Sequence, residues 1–231
     1  MSVQEQFAEV REALPVPFGL THPLHAPART ARRGRSSGGA KRLLDLMIAL
    51  PVLVLISPLL LIITFLIRLD SPGPALFRQK RLGLNGKPFG IFKFRTMHVV
   101  EDGETIVQAA PGDARITRLG AFLRSSSIDE LPQLLNVIAG HMSLVGPRPH
   151  AIAHDLYYAS LIPEYVKRQH VKPGITGWAQ VNGHRGGTPE LAMMQSRVDF
   201  DLWYADHASI ALDLLILVRT PIELLRNRSV Y

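Results

Sequence analysis

The stretch from Leu46 to Ile67 carries no charged side chain. As a helix it is long enough to cross a hydrocarbon layer of about 30 Å. It does not read as a cleaved signal peptide, because the apolar run is too long and no small-x-small site follows it. Pro51 and Pro58 lie inside it, and Ser57-Pro58 sits near its middle, where a helix kinks. Both flanks are basic: Lys41 and Arg42 precede it, and Arg68, Arg78, Lys80 and Arg81 follow. Positive residues favour the cytosolic side, so the two flanks favour the same side. The residues leave two readings open, a kinked span and a helix–break–helix that dips in and returns. The second satisfies the length, the break and the basic flanks together.

With 231 residues the chain holds one core-bearing domain plus extras. Its formal charge is +7, its pI is near 10.0 and its mean hydropathy is +0.13. A chain both basic and apolar points to an anionic membrane surface or to phosphate-rich ligands. Nucleic acid is disfavoured, since neither an interleaved aromatic–basic strand pattern nor a recognition helix is present. No cysteine occurs, which removes disulfides, thiolate metal sites and thiol nucleophiles and fits a cytosolic face. Residues 1–38 are rich in Ala, Pro, Arg, Gly and Ser, with Arg29, Arg32, Arg33 and Arg35 clustered. They read as a disordered basic tail, either touching anionic lipid or serving as a leader without a role.

After a turn at Asp70-Ser-Pro-Gly-Pro74, short apolar stretches at Ala75–Phe77 and Phe89–Phe94 flank Gly83, Asn85-Gly86 and Pro88. That pattern predicts a hairpin. Arg78, Lys80, Arg81, Lys93 and Arg95 ride on it, and a solvated strand face accounts for most of them. Residues 101–113 are polar and read as a surface loop. Thr117–Arg124 reads as a short helix that delivers Arg124 to the carboxylates that follow.

Those carboxylates, Asp129 and Glu130, stand just before the apolar run Leu131–Ile138. Asp129 is placed to be an N-cap, Glu130 suits the positive end of the helix dipole, and Pro132 falls in the first turn. A helix N-terminus is also an anion site, and Arg124 and Arg148 can add bidentate phosphate contacts. Carboxylates at a phosphate site make electrostatic sense with a divalent cation between them, and Mg²⁺ commonly takes one or two carboxylates plus substrate phosphates. A carboxylate can also attack phosphorus and form an acyl phosphate. Both routes point to phosphoryl transfer.

Further on, His150 and His154 are spaced as a helical zinc pair, but no third ligand is evident and a helix start beside the site is the better reading. Ile162–Lys172 is helix-like and basic. Gly183-His-Arg-Gly-Gly187 is not a Walker loop, since no Gly-Lys-Ser/Thr follows. Glu190–His207 predicts an amphipathic helix with Met193, Val198, Leu202 and Trp203 in the core. Ser209–Leu225 is apolar but broken by Asp213, Arg219 and Pro221. It reads as an interfacial helix lying on a membrane, with a terminal core helix as the alternative.

The run Arg124-x4-Asp-Glu-Leu-Pro-Gln-x2-Asn-Val-x2-Gly-x-Met-Ser-x-Val-Gly-Pro-Arg-Pro149 resembles the signature of the bacterial sugar transferases, the small monotopic phosphoglycosyl transferases that begin glycan assembly on polyprenyl phosphate. Ser57-Pro58, Arg78-Gln-x-Arg-x-Gly83 and Phe-x2-Phe-Lys-Phe-Arg-Thr-Met97 are similar to family motifs as well. The resemblance runs from about residue 40 to the C-terminus. Gly-Pro-Arg-Pro-His-Ala-x-Ala-His154, Lys-Pro-Gly-Ile-Thr-Gly-Trp-Ala-Gln-x-Asn-Gly183 and Arg-Val-x-Phe-Asp-Leu-x-Tyr204 bring it nearest to the undecaprenyl-phosphate glucose phosphotransferases.

The resemblance implies a mixed α/β, mostly helical fold. A Ser-Pro-broken re-entrant helix would occupy residues 39–72. A cytosolic domain over 73–231 would carry a small β-hairpin and amphipathic interfacial helices around the active site. It implies transfer of a sugar 1-phosphate from a UDP-sugar to undecaprenyl phosphate at the cytosolic face of the bacterial inner membrane, releasing UMP. Asp129 would be the nucleophile, Glu130 would hold metal or assist proton handling, and both would bind Mg²⁺. Arg124, Arg148, Lys93 and Arg95 would meet phosphate, while Pro147, Gln180, Asn182 and Arg185 are candidates for the nucleotide–sugar segment. The lipid bilayer is the expected partner, and a homodimer is compatible with it.

Two departures bear on the substrate. Many such glucose enzymes carry several transmembrane helices ahead of the catalytic part, where this sequence has its basic tail. Relatives show an aromatic residue followed by Arg-Gly-Glu-Thr, where this sequence has His184-Arg-Gly-Gly-Thr188. Glucose is the first expectation, galactose or an N-acetylhexosamine the second. From other classes, a membrane-tethered scaffold of polysaccharide export would not need the Asp-Glu pair. A metal-dependent phosphodiesterase would need more ligands than His141 adds.

Overall fold

The computed structural model describes residues 38–98, 113–188 and 190–226. The basic tail expected over residues 1–38 lies outside the described residues except for Gly38, and the polar loop at 101–113 except for Asp113. The fold is mixed and mostly helical, as the sequence predicts.

Helix α1 (Gly38–Asp70) is 33 residues long. By length and composition it is the one helix among the described residues able to cross a membrane, with a mean hydropathy of 2.9 over its most apolar window. Ala49, Leu53, Ile56, Leu60, Ile63 and Ile67 recur at three- and four-residue spacing and pack against the core. Val54, Leu55, Leu61 and Phe65 lie exposed, so the helix is apolar all round. Helical structure continues through Pro51 and Pro58, so any bend at Ser57-Pro58 is made within the helix. Pro58 has no N–H for the carbonyl of Val54. Ser57 Oγ donates to that carbonyl instead, at 2.8 Å.

Both ends of α1 are tied to the same globular body. At the start, Lys41 donates to Asp213 (2.6 Å) and to the Tyr204 hydroxyl (3.0 Å), and Arg42 donates to the carbonyls of Val137 and Ile138. Asp45 accepts from Ser143 Oγ and from the Leu144 amide, both at 2.9 Å. At the far end, Arg95 donates to the carbonyls of Ile67, Ser71 and Pro72, which supplies donors the helix terminus lacks. Asp45 is only 3% exposed. Asp45→Ala therefore orphans a buried amide and is expected to cost about 2 kcal/mol. Denaturant titration of the detergent-solubilised chain checks this, and a loss under about 0.5 kcal/mol would mean that water replaces the carboxylate.

Strands β1 (Leu76–Leu82) and β2 (Pro88–Phe94) form the expected antiparallel hairpin, registered from Leu76↔Phe94 to Leu82↔Pro88. Asn85 (φ 53°) and Gly86 (φ 71°) supply left-handed residues at its turn. Thr117 caps helix α2 (Arg118–Ser125) by accepting from the Gly120 amide. Helix α3 (Gln133–Ile138) follows a tight turn over Ile128–Glu130. Strand β3 (Ser143–Val145) pairs in parallel with β4 (Gly174–Thr176). A Cβ on Gly146 would meet the Lys172 carbonyl at 2.2 Å, so the two backbones approach closely only because glycine stands there.

Helix α4 (Ile152–Leu161) lies between β3 and β4 in the chain, and α5 (Trp178–Val181) follows β4. Ile162–Lys172, expected to be helix-like, contains a 3₁₀ run over Tyr165–His170. Helices α6 (Leu191–His207) and α7 (Ile210–Arg226) complete the described chain.

The main core gathers Phe89, Ile91, Leu134, Val137, Met142, Val145, Val181, Tyr204 and Ile216. A second cluster holds Tyr157, Tyr158, Ile162, Tyr165, Met194 and Val198. This corrects the core face expected for α6: Met193 and Trp203 are 45% and 42% exposed, whereas Met194 is 1%. The inward face also contains Arg197 and Asp201, and a purely apolar periodicity assigns such residues to the outside. Helix α7 runs through Pro221, burying Asp213 and Ile216 and leaving Leu214, Leu215, Val218, Ile222 and Leu225 exposed.

Candidate active site

Helix α2 ends at Ser125 with Arg124 in its last turn, as the sequence predicts. Ser127 then adopts a left-handed conformation (φ 59°, ψ 17°), rare for a residue with a Cβ. This reversal places Asp129 and Glu130 in a 3₁₀ turn rather than at a helix start. The Glu130 amide bonds the Ser127 carbonyl, and the Leu131 amide bonds that of Ile128. The amides an N-cap would serve are thus consumed within the turn. Asp129 is not an N-cap, contrary to expectation, and α3 begins after Pro132 with no side-chain cap.

Glu130 is held from two elements. Lys93, on β2, donates to it at 2.7 Å, and Arg148, in the Pro-Arg-Pro turn after β3, grips both carboxylate oxygens at 2.5 and 2.9 Å. Arg185 arrives from the loop before α6 and donates to Ser127 Oγ. Together Lys93, Arg124, Ser127, Asp129, Glu130, Arg148 and Arg185 line a cleft of about 280 Å³, partly open to solvent. Four cationic side chains face two carboxylates, so the cleft favours an anion.

The two carboxylates are driven apart. Burial, then the charge of Glu130, raise Asp129 to about 6 against the pull of Lys93, Arg124 and Arg148. Burial alone would raise Glu130 too, but Arg148 and Lys93 outweigh it and hold that carboxyl well below the usual range. Glu130 is therefore the fixed anion, and Asp129 the carboxyl that changes protonation near neutrality.

The donor set fits Mg²⁺ at Asp129, because one carboxylate plus substrate phosphates is a common Mg²⁺ arrangement. Glu130 fits less well, since Arg148 and Lys93 already engage both of its oxygens. Among the described residues no group of three or more His, Asp or Glu side chains is arranged to hold a metal without substrate.

Other sequence candidates stand elsewhere. Arg95, expected to meet phosphate, is buried at the end of α1 on three backbone carbonyls. Gln180 donates to the Ile175 carbonyl and Asn182 to that of Trp178, so both fold back on their own segment rather than line the cleft. Pro147 is buried beside β4, its carbonyl accepting from Gly174. Ser57 and Pro58 lie within α1. His150 lies 2.6 Å from the Tyr165 hydroxyl and 3.3 Å from Arg168, inside a buried polar cluster.

The sequence assigns no role to Ser127 or Arg168, and it shows Arg197 and Asp201 only as members of the motif that ends at Tyr204. Ser127 carries no pattern for a left-handed residue. Arg168 carries only a charge on a basic segment, while the motif around Arg197 and Asp201 was the signal that could have found them.

The family model described as bacterial sugar transferase matches residues 36–227. Over 191 residues the chain is 54% identical to a UDP-glucose:undecaprenyl-phosphate glucose-1-phosphate transferase of Caulobacter vibrioides, covering 83% of this chain and 72% of that one. Proteins of the same name from Xanthomonas campestris pv. campestris and Escherichia coli are 52% and 49% identical over 83% of this chain. The aligned region spans only 40% and 41% of their lengths.

Proposed function

Because the chain belongs to the bacterial sugar transferase family, we propose that it transfers a hexose 1-phosphate, glucose first, from a UDP-sugar to undecaprenyl phosphate and releases UMP. The observation that carries this is a buried Asp129 carboxyl raised to about 6, beside a salt-bridged Glu130, in a cleft lined by Lys93, Arg124, Arg148 and Arg185.

An Asp129 carboxylate oxygen attacks the β-phosphorus, the bond from that phosphorus to the bridging oxygen breaks, and UMP leaves with the electron pair. The hexose 1-phosphate is then held on Asp129 as an acyl phosphate. A phosphate oxygen of undecaprenyl phosphate attacks the same phosphorus, forms the diphosphate and returns Asp129 as a carboxylate. The four cations neutralise the phosphates as charge develops. Asp129 and the donor phosphates would hold Mg²⁺, which supplies further charge neutralisation. Glu130 contributes as the anion that fixes Arg148 and Lys93.

In this reading α1 dips into the cytosolic leaflet and returns. Support comes from the docking of both its ends on one body, the basic flanks and the exposed apolar middle. The outward apolar face of α7 suits the headgroup region. A lipid phosphate then reaches the cleft without leaving the membrane.

The test is UMP release from a panel of UDP-sugars with Mg²⁺ and undecaprenyl phosphate. Lipid-dependent release from UDP-glucose is expected. Release from no sugar by inserted, folded protein sinks the transferase reading and favours a scaffold, while lipid-independent hydrolysis favours a phosphodiesterase.

A further inference from the structure

Arg148 and Arg185 grip the catalytic turn at its two ends, through Glu130 and Ser127, and each is backed by a second, buried arginine. Arg168 donates to the backbone carbonyl of Arg148 at 2.8 Å and to Asp201 at 2.8 Å, with its guanidinium over the Tyr165 ring. Arg197, on α6, donates to the carbonyls of His184 (3.1 Å) and Gly186 (2.8 Å), the residues on either side of Arg185. That loop contains Gly183 and Gly186, both at φ 89°, so its backbone has little stiffness of its own. Phe200, one turn along α6, packs its ring on His184 at 4.6 Å.

Asp201, 2% exposed, links the pair. It bonds Arg168 directly and stands one helical turn after Arg197. Burial pushes its carboxyl up, and Arg168, then Arg197, pull against that. An ion pair as deep as Arg168–Asp201 contributes little net stability compared with apolar packing, whereas the two arginines donate to the backbone of Arg148 itself and to that on either side of Arg185.

We propose that Asp201, Arg168 and Arg197 form a positioning unit that sets Arg148 and Arg185 about the Asp129-Glu130 turn, Arg197 acting through Arg185 and Arg168 through Arg148. The proposal takes from the transferase reading only the expectation that the cleft binds a diphosphate.

Inorganic pyrophosphate binding to the full-length solubilised chain, followed by calorimetry, tests it without turnover. Arg197→Gln should weaken pyrophosphate binding about tenfold in the wild-type background and less than about twofold in Arg185→Ala. Arg168→Gln should show the same dependence on Arg148→Ala. Arg197→Lys, which keeps one donor, should recover part of the loss. A merely structural role predicts equal losses in both backgrounds, and that result overturns the proposal. So does an unchanged affinity in Arg197→Gln, or a folded wild type that binds no pyrophosphate. If Arg197→Gln does not fold, the same cycle with Phe200→Leu decides, since it loosens His184 and leaves the Arg168–Asp201 ion pair in place. Failure to transfer from any UDP-sugar would leave this binding cycle standing.

Discussion

Asp129→Asn is expected to lower UMP release from UDP-glucose by at least about 10³-fold, the scale on which removal of a nucleophile acts, without lowering the thermal midpoint. A carboxamide has no charged oxygen to attack phosphorus and cannot carry the acyl phosphate. The stability half follows from the raised carboxyl. Folding takes Asp129 from its usual unfolded value to about 6. At pH 7 the folded chain therefore holds a carboxylate at a cost, and that cost fades as pH falls through about 6. Asparagine removes the charge and with it the cost, so activity and stability move in opposite directions, as at many active sites. Single-turnover UMP release and a thermal scan on one preparation check both halves. Activity within tenfold of wild type would remove Asp129 as the nucleophile. A lowered midpoint would instead mean that neighbouring groups depend on the charge.

The charged residues that meet in the cleft were legible because their chemistry is local in sequence. Arg124, Asp129, Glu130 and Arg148 sit in one dense motif, Lys93 is on a strand its flanking turns announce, and Arg185 lies in a glycine loop. What escaped the sequence was direction. Lys93 and Arg95 are two apart and would share one face of a strand, but β2 ends at Phe94. Arg95 therefore turns away to the carbonyls at the end of α1. Asp129 suits a cap by composition, yet the left-handed Ser127 winds its neighbours into a 3₁₀ turn that uses the amides a cap would need. On α6 the buried face pairs Asp201 with Arg168, from a segment 33 residues away in sequence. Periodicity on one helix cannot report such a partner, so it places Met193 and Trp203 inward and gives no reason to bury Arg197 and Asp201. The prolines of α1 told of strain but not of its remedy, the hydroxyl of Ser57 on the carbonyl that Pro58 leaves open.

Glu130→Gln is expected to lower kcat/KM about 10²-fold while moving the Asp129 titration below its wild-type midpoint of about 6. The rate falls because Arg148 and Lys93 lose the anion that fixes them, and displacement of a positioning group by about 1 Å costs on that scale. The titration moves because Glu130's charge is, after burial, the next contributor that raises Asp129. Removing that charge lowers Asp129. Lys93 and Arg148, no longer engaged by a carboxylate, stabilise its ionised form further. The carboxyl stretch of Asp129 reads this directly, as the infrared difference between each protein and its Asp129→Asn counterpart, titrated in EDTA so that no divalent ion enters. A midpoint that stays near 6 in Glu130→Gln would mean that burial alone sets it. A midpoint that rises would mean that the two cations act on Asp129 only while Glu130 holds them in place, which makes Glu130 the organiser of the cleft rather than a charge within it.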